Sequence, residues 1–268
     1  MIRSEKLDHL KSLLRQKGRI AIAFSGGTDS TFLLAVAAGV LGENVVAITV
    51  KSPYIPQWEV DEALETARHF KVNHRLLKVP VPESVKNNPT DRCYLCKKQV
   101  FTLILAEAEK IGFSQVADGT NADDTGDYRP GMRALAELGV NSPLLECGIT
   151  KKEVRELSKA MGLATHDKPA YACLLTRIPY NTSYSEEELT RIEKAEEFLI
   201  RSGIRAIRVR HHGTIARIEA DPSDFQRLFA NDMREKVVTR FRELGYEHVT
   251  IDLDGYHMGS YNKNLKNT

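Results

Sequence analysis

The chain has little cysteine, almost no net charge and none of the commonest nucleotide-binding signatures. Its four cysteines, Cys93, Cys96, Cys147 and Cys173, are too few to staple 268 residues as a disulfide scaffold. Cys93 and Cys96 form a CxxC, which in a reducing compartment points to metal or redox chemistry. Against 38 basic residues stand 36 acidic ones, a formal net charge of +2. That balance argues against a dedicated nucleic-acid partner, leaving room only for a local basic patch. The opening stretch MIRSEKLDHLKSLLRQKG reads as a charged amphipathic helix without the apolar run of a signal peptide or membrane span. The expectation is a cytoplasmic protein with no membrane partner. No Gly-Lys-Ser/Thr follows the glycines of residues 25–30, which excludes the Walker type, and no GxGxxG supports a dinucleotide fold. Internal repeats and low-complexity tracts are also missing.

What is present is an ordinary globular composition, 42% hydrophobic and 28% charged. The stretch SGGTDS, Ser25 to Ser30, stands between the apolar run RIAIAF and the alanine-rich TFLLAVAAGV. The first flank suits a strand buried on both faces of a parallel sheet and the second a buried helix. A glycine turn between them gathers free backbone N–H groups and a positive helix end, so an anion such as phosphate can lie against the main chain. The runs NVVAITV, NHRLLKVP and SQVADGT alternate with the helical patterns EVDEALETARHFK and KKQVFTLILAEAEKIG. This order predicts an α/β fold with a doubly wound parallel sheet. Thr150 and Glu153 make a capping box for a further helix. A long loop around LATHDKPAYACLLTRIPYNTSYSEEE closes the first domain, residues 1–180. Residues 181–268 read as a smaller α+β domain: a capped helix, a hairpin turning at HHG, a helix from Pro222 to Leu244 and the strand HVTIDLDG.

SGGTDS, placed between a first strand and a first helix, resembles the SGGxDS signature of the PP-loop ATP pyrophosphatases. The resemblance implies an adenine nucleotide alpha hydrolase-like domain that cleaves ATP between its α and β phosphates and adenylates its substrate. Ser25, Gly26 and Gly27 would supply close-approach amides, Ser30 and Thr31 hydroxyl donors, and Asp29 a ligand for Mg. The bland alternative, a turn that needs glycine for geometry alone, accounts for neither Asp29 nor Ser30. In DGTNADD, Gly119 and Thr120 end a strand where open α/β sheets bind ligands, and Asn121, Asp123 and Asp124 could contact ATP, Mg or substrate. An Asx-rich turn capping the next helix explains Asp123 equally well. Arg129 and Arg177 are candidates for phosphate or carboxylate, or for ordinary ion pairs.

Thr90 or Asp91 can cap a helix that sets Cys93 and Cys96 near its positive end beside Arg92, Lys97 and Lys98, surroundings that favour thiolate. With DRCYLCK, the stretches DGTNADDTGDYRPGMRALAELGVNSPLLE and KPAYACLLTRIPY, running on to GYHMGSYN, resemble the LarE family of sulfur insertases of nickel-pincer nucleotide cofactor biosynthesis. That resemblance implies adenylation of pyridinium-3,5-biscarboxylic acid mononucleotide, replacement of AMP by sulfur to give a thiocarboxylate, and a homo-oligomer. Family members either surrender the sulfur of the cysteine matching Cys173 or hold a 4Fe-4S cluster on three cysteines. Here the resemblance carries the cluster to Cys93, Cys96 and Cys173, with an open iron for a sulfide or other sulfur donor. Cys147 is either a fourth ligand or a small buried residue at a strand end. His257 departs from the family, which has an arginine there. Arg208, Arg210 and Glu219 could line a pocket or belong to a solvated sheet face, and His211 and His212 read as turn residues. The rivals are a 4Fe-4S-dependent tRNA thiolase, opposed by the balanced charge, and a zinc-stabilised nucleotide-binding module closed by all four cysteines.

Overall fold

The computed structural model describes residues 4–126, 130–169, 171–204 and 206–257. The chain falls into two compact units, residues 1–85 with 91–171 and residues 86–90 with 172–268.

In the first unit, helix α1 (Glu5–Lys17) leads into β1 (Ile20–Ala23), α2 (Thr28–Leu41), β2 (Val45–Lys51), α3 (Gln57–His69) and β3 (Asn73–Lys78). The chain continues through α4 (Arg92–Lys110), the two-residue β4 (Val116–Ala117), α5 (Pro130–Glu137), α6 (Pro143–Glu146) and α7 (Lys151–Ala160). The four strands are all parallel, in the order β3-β2-β1-β4. Alternate strand residues serve opposite faces, as the pleat requires. Ile20, Ile22, Val45 and Ala47 join Leu10, Leu14, Phe32, Leu34, Val154 and Leu157 in one core. Ala21, Val46 and Ile48 join Phe101, Ile104, Ala108 and Leu135 in another. Helices therefore cover both sides, the doubly wound arrangement that two-sided apolar strands call for. β3 differs: Asn73, Arg75 and Lys78 are exposed, and the two cations among them mark a charged sheet edge, which discourages pairing with other chains.

The second unit is α8 (Glu186–Arg201), β5 (Ile207–His212), β6 (Ile215–Ala220), α9 (Phe225–Phe229), α10 (Asn231–Glu243) and β7 (His248–Ile251). β5 and β6 form the expected antiparallel hairpin, and β7 joins β6 in parallel, giving a mixed sheet. The helix anticipated from Pro222 to Leu244 is broken: a 3-10 turn at Pro222–Asp224 precedes α9, and the extended Ala230 separates α9 from α10. Ser185 caps α8 in a capping box with Glu188, and Thr150 caps α7 with Glu153 in the same way. Among the described residues, no helix is long and apolar enough to cross a membrane.

Candidate active site

β1 lies between β2 and β4: the chain runs from β1 through β2 to β3 at one edge and then crosses back to β4 on the other side of β1. Such a reversal opens a crevice beyond the carboxyl ends of the strands, where open α/β sheets take their ligands. The two stretches at that point are SGGTDS, after β1, and DGTN, after β4.

Helix α2 begins earlier than its apolar pattern suggests. It starts at Thr28, leaving Ser25, Gly26 and Gly27 as the turn and putting Asp29 and Ser30 in the first helical turn. Gly27 is the N-cap and no side chain caps the helix, so its leading N–H groups are in the state that accepts an anion. Two glycines are needed for space. A Cβ on Gly26, whose φ is +69°, would stand 3.0 Å from Ala63 of α3, and one on Gly119 would stand 2.9 Å from the Ser30 nitrogen. The Ser25 and Ser30 hydroxyls lie 3.1 Å apart, and Ser30 Oγ also donates to the Gly27 carbonyl at 3.2 Å. Thr31 is 1% exposed, with its hydroxyl enclosed and without a hydrogen-bond partner, so it points into the protein.

Behind the turn, Thr49 Oγ1 donates to the Phe24 carbonyl at 2.7 Å, and His74 Nε2 lies 2.9 Å from that hydroxyl. Since the hydroxyl has one proton, His74 must be the donor at Nε2. Burial, helped by Arg68, lowers the His74 pKa. From the other side, Lys168 Nζ donates to the Gly26 carbonyl at 3.1 Å and pairs with Glu62 at 2.6 Å. The Thr28 hydroxyl donates to the Thr165 carbonyl at 3.0 Å, and Arg155 donates to the His166 and Lys168 carbonyls. Residues 164–168 are thereby tied to the start of α2.

After β4, Asp118 accepts from Ser142 at 2.7 Å and from the Thr120 hydroxyl. Asn121, 4% exposed, donates from Nδ2 to Asp29 Oδ1 at 3.2 Å. The other Asp29 oxygen is held by Lys151, the first residue of α7. Asn121 Oδ1 accepts from the Asp123 amide, an Asx turn, and Asp124 Oδ2 reaches back to accept from the Asn121 amide as the third residue of a capping box does. Asp123 Oδ2 accepts the Lys151 N–H at 2.9 Å, so it satisfies one orphan donor at the start of α7 rather than capping the helix that follows it. The geometry thus gathers Ser25, Gly26, Gly27, Asp29, Ser30, Gly119, Thr120 and Asn121 in one region, and adds Lys151, Lys168 and Asp118, which the motifs did not single out. Arg129 lies outside the described residues.

Cys93 and Cys96 sit in the first turns of α4, whose N-cap is Asp91, though the Asp91 side chain makes no capping hydrogen bond. Residues three apart on a helix share a face. Cys93 is exposed, and Cys96 is half-buried with its thiol donating to Tyr54 Oη at 3.3 Å. The expectation of a lowered thiol pKa fails at Cys96, where burial raises it and outweighs the Tyr54 hydrogen bond and Lys97. Cys147 is 6% exposed among Leu144 and Ile149, at the end of α6 rather than of a strand, and burial raises its pKa too.

In the second unit, Cys173 is half-buried at the N-cap of a 3-10 turn, Leu174–Arg177. Arg177 is fully buried, and the carboxylate that its fork grips is Glu196, through Nε–Oε1 at 2.8 Å and Nη2–Oε2 at 2.7 Å. It also donates to the Ala172 and Cys173 carbonyls, so it shapes the turn that carries Cys173. Arg208, Arg210 and Glu219 are not on a solvated face: each is at most 4% exposed, and Arg210 grips Glu219 with two bonds. Burial, and after it the Arg177 charge, lowers the Arg208 pKa. His211 is no turn residue either, because it lies inside β5, 5% exposed, between Tyr246 Oη and Glu188. His257 is exposed.

The asparagine synthase family model matches residues 3–93, the part that holds the glycine turn. An uncharacterized protein of Synechocystis sp. is 39% identical over 262 residues, 97% of this chain and 98% of its own length. One of Methanocaldococcus jannaschii is 36% identical over 259 residues, 96% of this chain and 99% of its own. The pyridinium-3,5-bisthiocarboxylic acid mononucleotide synthase of Lactiplantibacillus plantarum is 35% identical over 262 residues, 96% of this chain and 93% of its own. The chain belongs to the LarE family. Members of this family are PP-loop enzymes, which use ATP with Mg.

Both implied groups can be tested against the donors present. For Mg, the oxygens of Asp29 suit a hard cation, and a positive charge, the Lys151 ammonium, already stands on that carboxylate. For an iron–sulfur cluster, thiolates are the required donors, and Cys93 and Cys96 share one helix face, with Cys173 in the second unit. Cys96 would release its proton on ligation. Among the described residues, no group of three or more His, Cys, Asp or Glu is placed to hold a metal ion.

Proposed function

We propose that the chain is an ATP-dependent sulfur transferase that converts a carboxylate of pyridinium-3,5-biscarboxylic acid mononucleotide into a thiocarboxylate. The observation that carries this reading is the 35% identity to the L. plantarum synthase across 96% of the chain, joined to an uncapped helix N-terminus at the switch point of a parallel sheet.

In the first half-reaction a substrate carboxylate oxygen attacks the α-phosphorus of ATP. The bond to the bridging oxygen breaks, its electron pair leaves with pyrophosphate, and an acyl adenylate forms. The amides of Ser25, Gly26 and Gly27 and the N-terminus of α2 would offset the growing charge on pyrophosphate, and Asp29 would hold the Mg, which when bound supplies positive charge to the phosphates. Ser30 braces the glycine turn through the Gly27 carbonyl, Asn121 holds the Asp29 carboxylate, and Thr120 and Asp124 keep the turn after β4 in place. In the second half-reaction a sulfide adds to the acyl carbon and AMP departs with the C–O electron pair.

Cys93, Cys96 and Cys173 would hold a 4Fe-4S cluster, which when bound supplies an iron without a protein ligand, open to exogenous sulfide. Arg177 fixes the Cys173 turn through the Ala172 and Cys173 carbonyls. The second unit would help to hold the mononucleotide and build a homo-oligomer, and the reaction would take place in the cytoplasm.

The test is an oxygen-free reconstitution followed by a single-turnover assay. About four irons with matching acid-labile sulfide, and a product in which sulfur has replaced oxygen at the cost of ATP, support the reading. Product without iron, with loss of hydrogen sulfide from Cys173, would make Cys173 the sacrificed sulfur source instead. No pyrophosphate release with this substrate would overturn the assignment.

A further inference from the structure

Lys151 stands where a lysine is poorly placed for helix stability. It is the first residue of α7, at the positive end of the helix dipole. Its backbone is nevertheless firmly held: the Thr150–Glu153 capping box fixes the turn, Lys6 pairs with Glu153 at 2.8 Å, and the Lys151 N–H donates to Asp123. Only its side chain is at liberty to swing, and that side chain ends on Asp29.

We propose that Lys151 is a displaceable counter-cation. It neutralises Asp29 in the nucleotide-free protein and yields that carboxylate to the divalent cation that arrives with the triphosphate. The inference rests on the ATP reading above and adds a role for a residue that reading does not use.

Three features favour exchange over a permanent structural pair. The Lys151 and Asp29 side chains are 31% and 23% exposed, so water and ions reach the pair, whereas the Arg177–Glu196 pair is 0% and 1% exposed. An ammonium is a strongly hydrated point charge without the fork that locks a guanidinium onto a carboxylate. The second Asp29 oxygen is held independently by Asn121 Nδ2 at 3.2 Å, so the carboxylate keeps its orientation when the lysine leaves.

The charges also dictate an order. A bare divalent cation must evict Lys151 and leave an unpaired ammonium between the positive ends of α2 and α7. A nucleotide-bound cation brings phosphates that take up that ammonium. Metal and triphosphate therefore enter together, and metal alone binds poorly.

The experiment titrates Mn²⁺ into the full chain without nucleotide, following the free ion by electron paramagnetic resonance. Lys151→Gln, which keeps the length but removes the competing charge, should bind Mn²⁺ about two- to fivefold tighter than the unmodified protein, the scale of a part-exposed ion pair. Lys151→Met should do the same, and Asp29→Asn should abolish binding in every background. In the presence of ATP the order reverses, with Lys151→Gln holding the Mn–ATP complex more weakly than the unmodified protein. Equal or weaker Mn²⁺ binding by both Lys151 variants, including no binding at all, overturns the exchange. Undiminished Mn²⁺ binding by Asp29→Asn would remove Asp29 as the metal ligand and the proposal with it. Neither readout requires sulfur transfer, so failure of the proposed chemistry would show separately in the product assay.

Discussion

The buried ion pairs of the second unit and the pairs around the glycine turn of the first are built from different cations and differ in kind. In the second unit, Arg177 grips Glu196 and Arg210 grips Glu219, each through two N–H donors, with every partner at most 5% exposed. Glu196 also accepts the Val209 amide at 2.8 Å, so its charge is held by three donors from two partners. In the first unit the pairs around the glycine turn are lysines on single carboxylate oxygens: Lys151 on Asp29 and Lys168 on Glu62, the latter 15% and 52% exposed. A planar fork sealed from water cannot be exchanged without leaving a bare charge, while a hydrated ammonium can. The arginine pairs therefore maintain shape, and the lysine pairs sit beside the glycine turn, where the proposed nucleotide site would exchange polyphosphate.

The largest predicted effect breaks one member of each kind. Glu196→Ala strands the buried Arg177 guanidinium, and we expect a loss of about 3–5 kcal/mol of stability in urea unfolding. Glu62→Ala removes the partner of Lys168 at an exposed site and should cost no more than about 1 kcal/mol. Equal losses would erase the distinction between the units.

The next effect tests the close approach that lets the turn work. Gly119→Ala forces a Cβ to within 2.9 Å of the Ser30 nitrogen, where the neighbour is the backbone of α2 and cannot rotate away. Overpacking of this sort costs about 1–3 kcal/mol. Because the strain falls on the first turn of α2, ATP affinity should drop with it, as isothermal titration would show. Gly139→Ala is the control: its φ of +67° carries the backbone strain, but nothing stands within 4 Å of the added Cβ, so nucleotide affinity should not change.

Much of the first unit was legible in the sequence, because buried parallel strands and capped helices write local patterns. RIAIAF and NVVAITV are apolar on both faces, and Thr150 with Glu153 spells a capping box. The start of α2 was read three residues late because Thr28, Asp29 and Ser30 are polar and helical propensity is weak beside the tertiary contact with Gly119. Lys151 left a trace that was available: a lysine pair opening a helix opposes the dipole and asks for a counter-charge. Its partner, though, lies 122 residues away, and no pattern encodes that distance. Arg208 and Arg210 look solvated in an alternating strand, since alternation reports which residues share a face but not what covers it, here the Thr176 carbonyl and the Tyr256 ring.

A milder test on the same footing replaces Lys168 by Met. The Gly26 carbonyl loses one donor and Glu62 its cation, both at part-exposed sites, so stability should fall by about 1 kcal/mol or less. The sharper readout is nucleotide dissociation, which should quicken as the turn loosens while urea unfolding of the chain barely changes.

The smallest expected effect comes from a group with no ionic partner among the described residues. His74 donates to Thr49, which in turn holds the Phe24 carbonyl just before the glycine turn, and burial followed by the Arg68 charge lowers its pKa from the usual histidine value. Between the lowered value and the ordinary one near 6.5, the unfolded chain binds the proton and the folded chain does not. Stability must then rise with pH through that window, and fall as pH drops from 7 toward 5. His74→Gln keeps an N–H donor for Thr49 but cannot titrate, so its stability should vary less over the same interval. Parallel urea titrations at several pH values measure the difference, and identical slopes would mean that the imidazole is free to protonate in place.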